Sequence, residues 1–368
     1  MEKGAATAYF AGANTRYGFY SLFHYIKQPE TKRVIIIKGG PGTGKSTLMR
    51  QAAGRAQAAG LSAELFFCSS DPESLDALSI PSLGIVLLDG TAPHLTDPEL
   101  PGTYDEILNL GDLWNRGRLQ PYKEAIAELV RQKRNWFVQA YQYLKEASVV
   151  REKLHWLTAQ AMDFWALSKM THRLLSDLLA ALPPAADVPQ ERQLFGSAIT
   201  PAGFINHYAS IFQGVERFYL LTGDPGTGKS HLLEQIRQTV KLAGHSVQVY
   251  RCGFDPERID AVVIPILKTA FAKATYPHTF SLDPSRFVRE QSTLALGRFI
   301  KTAELKQYAA ERAETAERFW YLLGKAIEML RSAKRSHEKL EAYYTAAMDF
   351  SRLQEVQEKL LAEIFQGK

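Results

Sequence analysis

Two short segments of the sequence carry the same phosphate-binding pattern, G-x-x-x-x-G-K-[ST]. In this pattern the glycines let backbone N–H groups converge on phosphate oxygens, the lysine reaches the terminal phosphates, and the next hydroxyl binds Mg²⁺. The first segment consists of Gly39, Gly40, Pro41, Gly42, Thr43, Gly44, Lys45, Ser46 and Thr47. The second consists of Gly223, Asp224, Pro225, Gly226, Thr227, Gly228, Lys229, Ser230 and His231. We expect both segments to contact a nucleoside triphosphate.

A carboxylate for the metal follows only the first segment. Asp89 ends the apolar run "GIVLLD", and an Asp at the end of such a strand commonly completes a magnesium site in phosphoryl transfer. We therefore predict that Ser46 and Asp89 bind Mg²⁺, and that Lys45 and Asp89 are catalytic. At the same distance from the second segment stands Lys273, and an ammonium group cannot bind a cation. The sequence predicts one catalytic site and one degenerate site that binds phosphate without hydrolysing it.

Other polar residues near these segments have two interpretations each. Asp71 and Asp76 could face a substrate, although a turn or helix cap is the preferred interpretation. Arg116 and Arg118 could stabilise charge on a transferring phosphate, with solvated arginines as the default. The remaining pairs could contact nucleotide or serve only as structural residues: Thr15, Gly18 and Phe19 with their counterparts Thr200, Gly203 and Phe204, and His94 with His278.

The chain contains one pattern written twice. A shift of 184 positions places Lys45 on Lys229 and Cys68 on Cys252 without a gap. The segment "AMDF", preceded by "EKL", recurs further on at a shift of 186 positions. We predict two domains, 1–185 with a helical segment at 121–182, and 191–368 with a helical segment at 303–365. Residues 182–190, rich in proline and alanine, form the expected linker.

The elements that must position these residues alternate between strands and helices. Apolar runs without alternation, "RVIIIKG" and "RFYLLTG", precede the glycine-rich segments and are typical of strands buried on both faces. A helical stretch follows each segment, so the fold class predicted is α/β with parallel sheets. The helical segments contain few glycines or prolines. We expect each to form a long helical hairpin that follows its sheet.

The composition is that of an ordinary globular protein. Of the 368 residues 46% are hydrophobic and 23% are charged, and the net charge of +5 comes without a basic block, so nucleic acid is not indicated as a partner. The two cysteines are far apart, which disfavours a disulfide framework or a zinc site. The first residues lack an apolar signal segment and no apolar run approaches a membrane span, so we expect no membrane partner and a cytoplasmic protein.

Taken together, the two segments, the Asp strand and the duplication resemble the P-loop NTPase superfamily. More narrowly, the chain resembles a poorly characterised bacterial family of duplicated P-loop proteins, in which a Gly-Phe motif precedes each loop and a segment like "DGTAPH" (89–94) follows the first. The resemblance covers the whole chain. It implies tandem P-loop modules with nucleotide binding and hydrolysis, but no biological role.

Three functions fit these observations. The leading hypothesis is a Mg²⁺-dependent ATPase that uses ATP or another nucleoside triphosphate, with the helical hairpins passing the nucleotide state to a protein partner. The second is a phosphotransferase of the nucleotide- or small-molecule-kinase type, in which the helical region closes over the substrate. The third is a non-enzymatic scaffold gated by nucleotide. Product analysis separates the first two, because a kinase transfers the phosphate to an acceptor other than water.

Overall fold

The computed structural model describes residues 4–93, 95–275 and 290–366. The strands of the N-terminal half are β1 (Ala6–Phe10), β2 (Gly12–Thr15), β3 (Gly18–Ser21), β4 (Arg33–Lys38), β5 (Ala63–Phe67), β6 (Leu75–Ile80), β7 (Ile85–Asp89) and β8 (Asp105–Asn109). Those of the C-terminal half are β9 (Glu191–Phe195), β10 (Ser197–Thr200), β11 (Gly203–Asn206), β12 (Arg217–Thr222), β13 (Val247–Arg251), β14 (Ile259–Ile264), β15 (Thr269–Lys273) and β16 (Glu290–Ala295). The helices are α1 (Lys45–Ala58), α2 (Arg116–Leu119), α3 (Lys123–Ala159), α4 (Phe164–Ala181), α5 (Tyr208–Ile211), α6 (Lys229–Leu242), α7 (Thr302–Lys306), α8 (Ala309–Ala346) and α9 (Phe350–Phe365).

Twelve of these strands form one central sheet, which together with the long helices confirms a mixed α/β fold. The strand order is β16-β12-β15-β14-β13-β9-β1-β5-β6-β7-β4-β8. β4 and β12, which lead into the glycine-rich loops, each lie one position in from an end of the sheet and run parallel to both neighbours. Nine strand spacings of about 4.8 Å separate β4 from β12, so the two loops lie roughly 43 Å apart along the sheet.

The prediction of parallel sheets is wrong at β6 and β14. β6 runs antiparallel to both β5 and β7, and β14 does the same between β13 and β15. The cause is the short connection: only seven residues, 68–74, join β5 to β6, whereas a parallel crossover needs about a dozen or more residues. The apolar run "LDALSI" is fully buried and was not recognised as a strand in the sequence.

The middle of the sheet belongs to both halves. β1 pairs antiparallel with β9 through Phe10 and Phe195, and both side chains are fully buried. On one face, the ring of Tyr9 stacks on Tyr250 with 6.3 Å between centroids. The two halves therefore share a continuous core, to which stacked aromatic pairs add about 0.5–1.5 kcal/mol each beyond the area that they bury.

The two long helices pack against each other along their length. Tyr122, just before α3, lies 5.0 Å ring to ring from Tyr343 near the end of α8, while Lys153 near the end of α3 pairs with Glu311 at the start of α8. α3 and α8 are therefore antiparallel. At 1.5 Å per residue the 37 residues of α3 span about 55 Å, which is enough to reach from one glycine-rich loop to the other.

The final helix of each half packs on the core of the opposite half. Leu353 and Leu361 of α9 join a buried cluster with Leu48 of α1, and Leu167 of α4 joins Leu232 of α6. Backbone hydrogen bonds fix the turn before each final helix: the Asn115 N–H donates to the Ala347 carbonyl at 2.8 Å, and the equivalent contacts in the other copy run between 161–163 and 299–301. The repeated "AMDF" ends each turn with an Asp that caps the final helix, since Asp163 and Asp349 each accept a backbone N–H three residues on.

Candidate functional site

The N-terminal loop joins the end of β4 to the start of α1. Gly42 and Gly44 have φ angles of 68° and 78°, which L-residues with a Cβ rarely adopt. The Lys45 ammonium folds back over the loop and donates to the carbonyls of Gly39 at 2.7 Å and Gly40 at 2.8 Å. Backbone N–H groups at the start of α1, with the helix dipole behind them, face the same side and favour an anion there.

Two carboxylates lie beside this loop, one more than the sequence analysis assigned to it. Asp89, at the end of β7, has one carboxylate oxygen 3.6 Å from Lys45 Nζ, and its other oxygen accepts the Thr91 N–H at 2.9 Å. Ala77 of β6 pairs with Leu88 of β7, so the preceding residue, Asp76, stands opposite Asp89. The cap interpretation of Asp76 is thus wrong, because this residue lies within β6 and is only 4% exposed.

The electrostatics of this cluster suit a bound cation. Burial raises the pKa of Asp89 above its usual value, the neighbouring charge of Asp76 raises it further, and Lys45 and the Thr91 hydrogen bonds oppose the shift. The Ser46 Oγ accepts the N–H of Leu75 at 3.0 Å. Because Leu75 directly precedes Asp76, this hydrogen bond places the Ser46 hydroxyl beside the same strand. Two carboxylates and one hydroxyl fit Mg²⁺, which takes one or two carboxylates and completes its shell with phosphate and water. Among the described residues, no group of three or more His, Cys, Asp or Glu side chains could hold a metal ion.

The C-terminal loop repeats the phosphate-binding geometry. Lys229 donates to the carbonyls of Gly223 and Asp224, the latter at 2.8 Å, so it folds over its loop as Lys45 does. Burial lowers the pKa of Lys229 to about 7, and the nearby charge of Lys273 contributes in the same direction. The lysine is therefore close to its titration point at neutral pH, and an incoming anion would favour its charged form.

Behind this loop, an ion pair replaces the two carboxylates of the N-terminal half. Ala261 of β14 pairs with Ala272 of β15, which places Asp260 opposite Lys273 in the register that Asp76 and Asp89 occupy. Lys273 Nζ lies 2.8 Å from Asp260 Oδ1, and both side chains are almost completely buried. The lysine is thus neutralised locally, and its partner carboxylate is engaged rather than open to a metal.

A cavity of about 970 Å³ opens over the C-terminal loop. Its lining comes from the loop, from the end of α3, from the start of α8 and from the β10–β11 hairpin. Most of the charged groups are cationic: Arg151, Arg258, Arg312, Lys229 and Lys273. The carboxylate of Asp224 is paired with Arg312 at 2.6 Å. A cavity of this size and charge accommodates a polyanion of nucleotide dimensions.

The helices exchanged between the halves also reach the loops. Gln357 of α9 donates to the Gly44 carbonyl at 3.3 Å, and a Cβ placed on Gly44 would lie 3.0 Å from the Leu353 side chain. At the C-terminal loop, a Cβ on Gly228 would lie 3.0 Å from Leu167 of α4. Each loop is therefore covered by helices from the opposite half, an arrangement that the contiguous repeat in the sequence does not reveal.

The structure also places most of the other residues that the sequence analysis considered. Thr15 and Thr200 accept and donate hydrogen bonds within the tight turns of the β2–β3 and β10–β11 hairpins, at Gly18 and Gly203 respectively. Asp71 accepts a hydrogen bond from Ser74 and pairs with Lys334 of α8 at 2.9 Å. Arg118 is exposed and donates to the carbonyl of Ala346, and Arg116 is also exposed. His94 and His278 lie outside the described residues, and the exposed His231 lines the cavity.

Comparison with known proteins gives one local match. The family model described as Nephrocystin 3, N-terminal, matches residues 21–83, which contain β4, the first glycine-rich loop and α1. No curated protein and no solved structure matches the chain. The matched segment is similar to that family over less than a fifth of the sequence. Of the described helices, none combines the length and apolar character that crossing a membrane requires.

Proposed function

We propose that the chain is a Mg²⁺-dependent ATPase with two tandem P-loop modules, one catalytic and one that only binds nucleotide. ATP or another nucleoside triphosphate would be held at each glycine-rich loop by backbone N–H groups and by Lys45 or Lys229. The N-terminal loop would carry out hydrolysis. From the sequence we also propose that the protein is cytoplasmic and that it binds a protein partner through its long helices.

One observation carries the proposal: equivalent strand positions hold Asp76 and Asp89 in one half, and Asp260 and Lys273 in the other. The first pair offers two carboxylates to a divalent cation beside the loop lysine. The second pair forms a neutral buried ion pair. Both halves thus keep the glycine-rich loop and its lysine, whereas the two carboxylates proposed for the metal are present in the N-terminal half and not at the equivalent positions of the C-terminal half.

At the N-terminal loop, Lys45 and the backbone N–H groups would hold the phosphate oxygens, while Ser46, Asp89 and Asp76 would hold Mg²⁺ directly or through water. The metal, when bound, neutralises charge on the β- and γ-phosphates. Lys45 would keep its ammonium close to the terminal phosphate as negative charge shifts towards the leaving oxygen. Thr91 fixes the Asp89 carboxylate through two hydrogen bonds, so that its remaining oxygen faces Lys45.

The proposal is tested by measuring nucleotide binding and phosphate release together, with and without Mg²⁺. We expect two nucleotides bound per chain, and phosphate release that requires Mg²⁺. Tight binding with negligible release would instead support a nucleotide-gated scaffold. Release that depends on an added acceptor would support a phosphotransferase.

A further inference from the structure

The end of α8, which belongs to the C-terminal half, lies against the apex of the N-terminal loop. A Cβ placed on Gly42 would lie 3.2 Å from Cγ of Glu341 and 3.3 Å from its carbonyl oxygen, and would overlap the Thr345 hydroxyl. Gly42 also has a positive φ angle of 68°. A glycine is therefore required here for two reasons, its backbone conformation and the close approach of a helix from the other half.

The Glu341 side chain lies against Gly42, at the apex of the loop that contains Lys45. Burial raises the pKa of Glu341, Asp71 raises it further, and Lys45 and a hydrogen bond from the Gly42 N–H lower it. The Glu341 carboxyl group is thus close enough to Lys45 and to the Gly42 N–H for both to act on it. Residue 90, directly after the predicted metal ligand Asp89, is a glycine, so the β7 strand itself supplies no second acidic group at this point.

The C-terminal loop has the same approach without the carboxylate. Its Gly226 lies against the end of α3, where a Cβ would come within 3.1 Å of the Cα of His155. His155 and Glu341 both follow the repeated "EKL", so they are equivalent positions in the two halves. Burial and nearby cations lower the pKa of His155 to about 2, which leaves its imidazole neutral. At this equivalent position the N-terminal loop therefore meets a carboxyl group, and the C-terminal loop meets an imidazole.

We propose that Glu341 is a catalytic carboxylate for the N-terminal loop, supplied by the C-terminal half of the chain. It would orient the attacking water and accept its proton. The water oxygen forms a bond to the γ-phosphorus, and the bond from that phosphorus to the β–γ bridging oxygen breaks. The nucleoside diphosphate leaves with that oxygen, and the proton passes from Glu341 to the released phosphate. This inference rests on the proposed function, since it assigns a residue within the proposed hydrolysis.

The test compares Glu341→Gln with wild type in steady-state phosphate release and in nucleotide affinity. Glu→Gln keeps size and hydrogen bonding but removes the base, so we expect kcat to fall by about 100-fold, within the usual range for a lost general base. The Kd for Mg²⁺–ATP should stay within about twofold, because the loop and the metal ligands hold the phosphates. Glu338→Gln, which alters an exposed glutamate one turn earlier on α8 that pairs with Lys334, is the matched control and should keep wild-type kcat.

Each outcome decides the assignment. A lower kcat with unchanged Kd in Glu341→Gln alone supports it. Unchanged kcat in Glu341→Gln overturns it while leaving the proposed hydrolysis in place, and so does a change confined to Kd. If wild type binds nucleotide but releases no phosphate, the proposed function fails, and the assignment of Glu341 fails with it.

Discussion

Replacement of Lys273 by Asp should create a magnesium site at the C-terminal loop. The change removes one positive charge from the buried pair with Asp260 and gives this half the two opposed carboxylates that Asp76 and Asp89 form in the other. At 4 Å and an effective dielectric of 20, a unit charge pair is worth about 4 kcal/mol, so a divalent ion gains about 8 kcal/mol per added carboxylate. If screening and desolvation leave a fifth of this, about 1.6 kcal/mol, the Mg²⁺ affinity rises roughly tenfold.

The measurement is a Mg²⁺ titration of nucleotide-loaded protein by calorimetry, in an Asp89→Asn background that removes a proposed metal ligand of the N-terminal loop. Lys268→Asp is the matched control, since Lys268 is an exposed residue just before the same strand, β15, and pairs with Glu216. Without Mg²⁺, two facing carboxylates should destabilise the fold by about 3–5 kcal/mol, as expected when one partner of a buried ion pair is lost, and Mg²⁺ should restore the unfolding midpoint. Equal Mg²⁺ affinity in Lys273→Asp and Lys268→Asp would refute the argument that Lys273 excludes the metal.

Two further predictions concern the two sites separately. Asp89→Asn should lower turnover at fixed ATP by at least about tenfold and shift the Mg²⁺ requirement upwards, because Asp89 binds the metal in the proposed site. The ATP affinity should change by less than about threefold, because backbone donors would still hold the phosphates. Asp97→Asn, at an exposed carboxylate, is the control, and an unchanged Mg²⁺ curve would show that another carboxylate is the metal ligand. Nucleotide binding at the C-terminal loop should weaken as pH rises above about 7, because the pKa of Lys229 lies near 7 before binding and a bound phosphate raises it. Calorimetry of the Lys45→Ala protein in buffers of different ionisation enthalpy should show proton uptake on binding at pH 8, and its absence would contradict a lowered pKa for Lys229.

The sequence predicted the parts of the fold that local patterns determine. Apolar runs indicated β4, β7 and β12, the glycine-rich pattern placed both loops between a strand and a helix, and the low glycine and proline content indicated the long helices. β6 was missed because its two polar residues, Asp76 and Ser79, are buried by neighbouring strands rather than placed on a polar face. Strand pairing supplies that burial, and no local pattern encodes it.

The sequence predicted only those residues of the candidate site that come from the N-terminal half of the chain. Lys45, Ser46 and Asp89 come together as expected, whereas Gln357 and Glu341 reach the same loop from some 300 residues away. Contacts between residues so far apart in the sequence depend on which half each helix packs against. An internal repeat suggests that each helix packs within its own half, which is not the arrangement in the structure. One signal was visible: the repeated "EKL" is followed by His155 in one copy and Glu341 in the other. Such a difference directly after a repeated segment is the kind of signal that points to different surroundings for the two helices.

The central claim is that the loops have diverged, with hydrolysis at the N-terminal loop and binding at the C-terminal one. Phosphate release in Lys45→Ala and Lys229→Ala, measured side by side at saturating Mg²⁺ and ATP, tests it most directly. We expect Lys45→Ala to lose nearly all activity, because it removes the ammonium that we propose contacts the terminal phosphate. Lys229→Ala should retain most of it. Equal losses in the two variants, or wild-type release in Lys45→Ala, would contradict the account.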